Sequence, residues 1–426
     1  MNKFLLVIMV IMTVLCKTVF SQEVLRLTMK EAQDYALQHN RNVWNANLSA
    51  SEAQKKTWEV ISAGLPQINA SVDYSNMMGF KMEFAGMSIA MQPTSNFQAT
   101  VTQLLFSASY WVGIKMSKLG EAMTETARLQ AELDVRHQTQ SAYFAVLVTH
   151  ENLKILEQSL KDIETLAKNA EELVRIGVAE QTDADQLKVQ VLMMSNTIKS
   201  IERHIELAYN LLRFQLGVGA DTGIALTQTL EDLTALMASK NTGEMLFDLN
   251  SDYNMLLLDA QIDLANMQIS MERAANLPNV AAYYNYTYKI ARSTFDMSPN
   301  NVIGLQASIP IFASGQRHVR TQQARINMEK AQNNRDLVAE SLLMQEKQLR
   351  FNHKSAVETL ELQQEAMEVS QRVFESVTRK YQQGMASSLE VTTANSNVLQ
   401  AQGNYISAMM DVFTAQTELE KLLNTL

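Results

Sequence analysis

The side chains that could carry chemistry in this 426-residue chain are scattered rather than grouped. Its six histidines include no pair at the His-Glu-x-x-His spacing that binds zinc, and the sequence has neither a phosphate-binding Gly-x-x-x-x-Gly-Lys loop nor a Gly-x-Ser-x-Gly nucleophile turn. One group has ligating potential, and its members are Met77, Met78, Met82, Met87 and Met91. Thioethers bind soft ions such as Cu(I), but neither cysteine nor histidine accompanies these methionines, so gap-filling in a loop is the favoured interpretation. The sequence therefore predicts no enzyme, no cofactor and no metal site.

Residues 1–21 have the pattern of a secretory signal peptide. Lys3 precedes an apolar run from Phe4 to Leu15, and residues 19–21 have the small-residue spacing for cleavage before Gln22. An uncleaved membrane anchor is the alternative, but about a dozen apolar residues are too few to span roughly 30 Å of hydrocarbon as a helix. The only cysteine, Cys16, lies in this segment, so the mature chain is expected to have no disulfide.

Charge and hydropathy restrict the possible partners. The formal net charge is −9 and becomes −11 when the signal peptide takes Lys3 and Lys17 away, which disfavours a nucleic-acid partner. Beyond position 21, no stretch approaches the roughly 18 consecutive apolar residues of a membrane-spanning helix, so a membrane role could not rely on transmembrane helices.

The prolines indicate where strands interrupt an otherwise helical chain. All five fall in two windows: Pro66 and Pro93 in the first, and Pro278, Pro299 and Pro310 in the second. Because proline breaks helix interiors and is tolerated at strand edges and turns, the windows predict two β-hairpins, over residues 65–106 and 277–312.

The same order of elements occurs twice, which predicts an internal duplication. The first copy, residues 22–240, reads as helices over 28–63, 107–175 and 183–216 around the first hairpin, with the two long helices meeting near Gly177. The second copy, residues 241–426, has a helix over about 246–276, the second hairpin, and two long helices meeting near Gly384. The equivalent residues Phe106 and Phe312 are 206 positions apart, and the two glycines are 207 apart.

The predicted strands alternate between apolar and polar side chains. The clearest series are Ile68, Ala70, Val72 and Tyr74, and Val280, Ala282, Tyr284, Tyr286 and Tyr288. Strands of about 10 residues are long enough to cross a bilayer at a tilt, although a soluble sheet with one buried face alternates in the same way. Four strands cannot close a transmembrane barrel, whose practical minimum is about eight, but three chains supply twelve, so closure predicts a trimer.

The long predicted helices carry heptad stripes. In the first copy the stripe consists of Leu153, Leu156, Leu160, Ile163, Ala167, Ala170 and Val174. Helices of roughly 70 residues, at about 1.5 Å per residue, are too long for a compact globule and must pack side by side. An ordinary coiled-coil scaffold would also show these heptads, but it would not explain the hairpins.

In these features the chain resembles the TolC-type outer-membrane efflux protein family over nearly its whole mature length. The resemblance rests on the ordered segments 27–32, 65–68, 277–280 and 309–315 and on the helix turns 177–184 and 384–394. It implies a mainly α fold with inserted β structure: long antiparallel helices form a helical barrel, and four strands per chain contribute to a trimeric 12-stranded transmembrane β-barrel in the outer membrane. The helices would extend into the periplasm.

The resemblance also implies partners and a function. The partners are two further copies in a homotrimer, outer-membrane lipid, a periplasmic adaptor (membrane fusion) protein and an inner-membrane transporter. The function is the passive duct of a tripartite efflux or type I secretion system. The alternatives are a secreted or periplasmic coiled-coil scaffold and a passive diffusion porin.

Finally, the resemblance implies roles for the two helix turns. In the family, acidic residues just after the turn form a cation-favouring gate, which here corresponds to Asp183 and Glu390, with Asp185 as a secondary candidate. Thr393 stands where many relatives have a second acid, and the macrodipole of a helix N-terminus is an alternative reason for the acids. The implied adaptor-docking residues, whose glycines could instead simply cap helices, are Arg175, Ile176, Gly177, Val178, Gln382, Gln383, Gly384 and Met385.

Overall fold

The computed structural model describes residues 24–84, 86–239, 245–292 and 298–426. The predicted signal peptide, residues 1–21, and the side chains of Met82 and Met87 in the methionine group lie outside the described residues. The described strands are β1 (Leu25–Leu27), β2 (Gln67–Ser75), β3 (Lys81–Phe84), β4 (Met87–Ala90), β5 (Thr94–Ser107), β6 (Ile224–Leu226), β7 (Asn279–Ala291) and β8 (Asn301–Ser308). The described helices are α1 (Met29–His39), α2 (Arg41–Ser62), α3 (Ala108–Arg175), α4 (Gln181–Leu216), α5 (Leu230–Ser239), α6 (Tyr253–Ala274), α7 (Gln316–Gln382) and α8 (Ser388–Leu422).

The helix predicted over residues 28–63 is two helices, because Asn40 interrupts it. Asn40 ends α1 in an extended conformation, with φ −66° and ψ 134°. Its side-chain amide donates a hydrogen bond of 2.7 Å to the carbonyl of Gln215, and its side-chain oxygen accepts one of 2.7 Å from the N–H of Asn42. These bonds satisfy a buried side chain and stabilise the break. The partner Gln215 is 175 positions away along the chain, so no local pattern could have predicted it.

The chain folds into two compact units, and each draws on both predicted sequence copies. We call residues 46–129 and 253–340 the sheet unit. Residues 1–45, 130–252 and 341–426, as far as they are described, form the helical unit. The long helices α3 and α7 each contribute residues to both units.

The sheet unit contains an open, four-stranded antiparallel sheet of order β2-β5-β7-β8. The two predicted hairpins thus join into one sheet, because β5 of the first pairs with β7 of the second. One rung runs across all four strands through Ile68, Val101, Tyr284 and Ile303. Strands β2 and β8 are the two edges of this sheet.

The apolar face of the sheet is exposed in the single chain. Ile68 is 73% exposed and Ile303 is 84% exposed, at the two edge strands of the same rung. Tyr284, Tyr286 and Tyr288 in the inner strand β7 are 41%, 38% and 56% exposed. Such a continuous apolar surface marks an interaction site, because soluble monomers rarely leave large apolar patches uncovered.

The helical unit packs around two apolar cores. One core lies beside the short parallel pair β1–β6, and in it Phe144 of α3 stacks on Phe413 of α8 with ring centroids 4.3 Å apart. The other core combines α3, α4, α7 and α8, and its buried members are Leu156, Ile163, Leu166, Ala167, Ala170, Ala184, Leu187, Met194, Ile198, Phe374, Tyr381, Val391, Ala394 and Val398. It contains most of the heptad stripe predicted for α3. Among the described helices, none has an apolar stretch long enough to cross a bilayer.

Candidate functional site at the two helix turns

The turn between α3 and α4 is closed by a Schellman motif. Gly177 adopts φ 77°, a left-handed conformation that favours glycine. Its N–H donates to the carbonyl of Val174 at 2.9 Å, and the N–H of Val178 donates to the carbonyl of Leu173 at 2.9 Å. These two bonds satisfy carbonyls at the end of α3 that have no partner inside the helix.

The turn between α7 and α8 has the same motif. Gly384 adopts φ 72°, its N–H donates to the carbonyl of Tyr381 at 2.9 Å, and the N–H of Met385 donates to that of Lys380 at 2.8 Å. Helix capping therefore accounts for the conformation of both glycines. All eight predicted docking residues are exposed. They include three large apolar side chains, those of Ile176, Val178 and Met385.

Asp183 connects the first turn of α4 to α8. The buried hydroxyl of Ser388, the first residue of α8, donates a hydrogen bond to the Asp183 carboxylate. The same Ser388 oxygen lies 2.9 Å from Oε1 of Gln186 on α4. Asp183 itself is half-buried, so this predicted gate residue joins the two helical hairpins at their turns.

Asp183 also influences a tyrosine on α7. Burial raises the pKa of the Tyr381 hydroxyl, and the negative charge of Asp183 raises that pKa further. The Tyr381 ring belongs to the core of the helical unit, and within the described part of the chain its hydroxyl has no hydrogen-bond partner. The Asp183 carboxylate thus interacts electrostatically with Tyr381 on α7 and accepts a hydrogen bond from Ser388 on α8.

Among the residues that the structure describes, Glu390 and Asp185 make only local contacts, unlike Asp183. The N–H of Ser387 donates to the Glu390 carboxylate at 3.3 Å, and the Ser387 hydroxyl accepts from the N–H of Glu390 at 3.3 Å, which is a capping box. Asp185 accepts a bond of 3.0 Å from the side chain of Gln181, four residues earlier. Both carboxylates are exposed. Asp183 and Glu390 each lie six residues after the glycine of their turn, but of these two acids only Asp183 bonds to another helix within the described part of the chain.

Sequence reasoning missed Ser388, Gln186 and Tyr381. Tyr381 lies three residues before Gly384 and Ser388 four residues after it, so a search for polar side chains close to each glycine would have found both. Their common partner on α4 could not be read from spacing. In the part of the chain that the structure describes, no group of three or more His, Cys, Asp or Glu side chains could hold a metal ion.

Most of the chain matches one protein family. The family described as Outer membrane efflux protein matches residues 33–218 and 249–425. Two relatives are both described as Outer membrane protein TolC. The one from Vibrio cholerae serotype O1 (strain ATCC 39315 / El Tor Inaba N16961) is 22% identical over 377 residues, which cover 86% of this chain and 83% of the relative. The one from Salmonella enteritidis is 20% identical over 393 residues, which cover 88% of this chain and 77% of the relative.

Solved structures share the fold. A crystal structure of CusC, described in terms of folding and transmembrane channel formation, superposes with a TM-score of 0.76 at 16% identity, covering 93% of this chain and 92% of CusC. The outer membrane protein VceC from Vibrio cholerae gives 0.73 at 16% identity, covering 93% and 95%. The chain therefore belongs to the outer membrane efflux protein family, a family of channel and transport proteins rather than enzymes, and it is located in the outer membrane and extends into the periplasm.

Proposed function

We propose that three copies of this chain form the outer-membrane duct of a tripartite efflux or type I secretion system. The observation that carries the proposal is the open four-stranded sheet, whose apolar face is exposed and whose edge strands are β2 and β8. Four strands are too few to close a transmembrane barrel, whereas three copies provide twelve. In this arrangement β8 of one copy pairs with β2 of the next, since each is the free edge of its own sheet.

The two faces of the sheet suit lipid on one side and water on the other. The apolar rung through Ile68 and Ile303 would face lipid, while the neighbouring rung places Asn69, Thr100 and Asn285 on the opposite face. The Thr100 hydroxyl donates to the side chain of Asn285 at 3.1 Å, so this polar face has its own cross-strand hydrogen bond. The exposure of Tyr284, Tyr286 and Tyr288 favours a channel over the alternative of a coiled-coil scaffold, in which these rings would pack against protein.

The helix turns would be the gated and docking end of the duct. Asp183, Asp185 and Glu390 are the proposed gate and selectivity residues, and Asp183 would also hold the turns together through Ser388. The exposed apolar side chains at both turns would contact a periplasmic adaptor protein, which links the duct to an inner-membrane transporter. The duct itself is passive, and the transporter supplies the energy for export.

The test is the assembly state and location of the mature full-length chain. Protein extracted from the outer membrane with mild detergent should have the mass of three copies by native mass spectrometry, and it should form conducting channels in planar bilayers. A monomer that fractionates with the soluble periplasm would contradict the proposal. A diffusion porin would be favoured instead if the protein is a trimer and deletion of its gene abolishes only passive uptake while export continues.

A further inference from the structure

The polar face of the four-stranded sheet carries one aromatic side chain, that of Tyr283. Successive side chains of a strand lie on opposite faces, so Tyr283 shares the polar face with Asn285, whereas Tyr284, Tyr286 and Tyr288 lie on the apolar face. By the same register, none of the positions that β2, β5 and β8 contribute to the polar face is Phe, Tyr or Trp. Tyr283 therefore differs from the other tyrosines of β7, which would face lipid in the proposed duct.

The Tyr283 ring lies over Gly304, its partner on the edge strand β8. A Cβ added to Gly304 would lie 2.6 Å from both Cζ and Oη of Tyr283 and 2.8 Å from its Cε1. Non-bonded atoms in contact are normally about 3.5–4.0 Å apart, so the far end of the ring occupies the space that any other side chain at position 304 would need. The ring thus lies across β8, whereas strand side chains commonly stand roughly perpendicular to the sheet.

The backbone conformation of Gly304 does not require glycine. Its φ lies outside the left-handed region, unlike those of Gly177 and Gly384. Glycine weakens the interior of a strand, and there it often marks a place where another group approaches closely. Val302, two residues earlier on the same face of β8, shows that this face holds a β-branched side chain. The Tyr283 ring is therefore the feature of the described structure that accounts for glycine at position 304.

The Tyr283–Gly304 pair lies near the end of the sheet that adjoins the helices. Tyr283 is on one rung with Thr102 and Gln67, and Gln67 is the first residue of β2. Gly304 lies four residues before the end of β8, which leads toward α7. In the proposed duct, cargo that leaves the helices passes this rung as it enters the barrel, and three copies place three rings around the opening.

We propose that Gly304 keeps this entrance wide by leaving room for the Tyr283 ring to lie against β8, so that the pair limits the cross-section of the cargo that passes. The inference rests on the proposed duct, in which the polar face lines the lumen, and it makes Gly304 a positioning residue for Tyr283. A side chain at position 304 would lift the ring from the wall toward the lumen. Since side chains occupy discrete staggered rotamers, a large enough displacement moves the ring to another rotamer.

The test places single cysteines on either side of the pair, because the chain's only cysteine lies in the predicted signal peptide. Ser308→Cys lies four residues from Gly304 toward α7, which is about 14 Å along β8. Ser71→Cys lies equally far from Gln67 along β2, in the opposite direction. Both serines are exposed and lie on the polar face. For a reagent that enters from outside the cell, Ser71→Cys is in front of the rings and Ser308→Cys is behind them.

The measurement is the rate at which each cysteine is labelled in intact cells. The reagents are a small hydrophilic maleimide and the largest maleimide-linked polyethylene glycol that labels both cysteines in the parent protein. Gly304→Val should slow polymer labelling of Ser308→Cys several-fold, because the displaced rings narrow the path to it. Valine suits strands and leaves the ring no room for a small tilt. Polymer labelling of Ser71→Cys, and labelling of Ser308→Cys by the small reagent, should keep the parent rates.

The matched control combines Gly304→Val with Tyr283→Ala. It keeps the bulk of valine but removes the ring, so polymer labelling of Ser308→Cys should return to at least the parent rate. Tyr283→Ala alone should change that rate little, because the ring that it removes lies against the wall. A slow rate that persists in the double variant, or a several-fold gain from Tyr283→Ala alone, would overturn the inference. The Tyr283→Ala result decides the matter even if Gly304→Val does not assemble.

Failure of this inference and failure of the duct give different results. If the parent protein is a trimer by native mass and both cysteines react with the small reagent, but Gly304→Val leaves polymer labelling unchanged, the pair does not limit passage while the duct stands. If the parent protein is a monomer, or if neither cysteine reacts with the small reagent in intact cells, the polar face does not line a lumen and the proposed duct fails as well.

Discussion

Ser388 at the start of α8 donates its hydroxyl hydrogen bond to the carboxylate of Asp183 in the first turn of α4. The two residues are 205 positions apart, and their bond ties one helical hairpin to the other beside both turns. Ser388 is only 2% exposed, so its hydroxyl has little access to water as an alternative partner. A buried hydrogen bond to a charged group typically contributes about 1.5–3 kcal/mol, which is enough to influence whether the turns stay together.

Replacing Ser388 with alanine should loosen the turns. The Asp183 carboxylate would lose its donor from α8, at a cost to the native state of about 1–3 kcal/mol. We expect larger or more frequent channel openings in planar-bilayer recordings and a lower melting temperature. Ser396→Ala is the matched control, because the Ser396 hydroxyl lies on the same helix but donates to the carbonyl of Thr392 within that helix, at 2.9 Å. Equal conductance of Ser388→Ala and the parent protein would remove Ser388 from the gate.

Replacing Glu390 with glutamine separates its charge from its cap. Glutamine at the third position of a helix can still complete the capping box with Ser387, so α8 should begin as before. If three copies of Glu390 line a narrow gate, loss of the three negative charges should lower the preference for cations and alter block by multivalent cations. The measurement is the reversal potential across a salt gradient. Asp185→Asn is the comparison, because Asp185 is also exposed and accepts a hydrogen bond from Gln181 on its own helix. An unchanged reversal potential for Glu390→Gln would leave this carboxylate with a capping role alone.

The parts of the fold that the sequence predicted are those with local signals. The alternation of side chains and the clustered prolines led to the four strands of the main sheet, and Gly177 and Gly384 were found at the turns between long helices, where the left-handed φ favours glycine. Strand β1 was missed, since three residues give too short a pattern, and its partner β6 is 199 positions away. The pairing of β5 with β7 also depends on distant segments.

In the candidate site, too, local features could be predicted from the sequence, whereas contacts between distant segments could not. Asp183 and Glu390 each lie six residues after a turn glycine. The Ser387-x-x-Glu390 spacing is a local capping-box pattern, but no local pattern indicated the bond between Asp183 and Ser388. The structure separates them because position 388 of α8 presents its hydroxyl to Asp183, whereas Glu390 turns back to its own N-cap at Ser387. Such a difference depends on how α4 and α8 pack, and heptad spacing fixes which side of a helix is buried but not which residues meet across the contact.

Stability should fall at mildly acidic pH because of His137 on α3. Burial lowers the pKa of the His137 imidazole, the positive charge of Lys421 lowers it further, and Asp134 partly opposes the change. Lys421 and Asp134 form an ion pair of 2.7 Å. Because the unfolded chain, with a histidine pKa of about 6.5, binds the proton more readily, the contribution of His137 is intact above that pH and declines as pH falls through the lower folded-state pKa.

The check is the melting temperature between pH 5 and 7.5 for the parent protein and His137→Gln. The variant should lose part of the decline below about pH 6.5, since glutamine carries no proton to gain. His204→Gln, at an exposed position on α4, serves as the control and should follow the parent curve. Parallel curves for His137→Gln and the parent would show that another group causes any acid sensitivity.

Two glycines with nearly the same backbone conformation should differ in their tolerance of alanine. Gly177 and Gly217 have φ values of 77° and 70°, so alanine at either site costs about 1–2 kcal/mol for a left-handed conformation. A Cβ at Gly177 would meet nothing within 4 Å, whereas one at Gly217 would lie 2.2 Å from the carbonyl oxygen of His39. That oxygen belongs to the backbone at the end of α1 and cannot rotate away. We therefore expect Gly217→Ala to lower the melting temperature clearly more than Gly177→Ala. Equal losses for the two variants would mean that α1 shifts to accommodate the methyl group, and that the contact between α1 and the end of α4 is looser than the packing at Gly217 indicates.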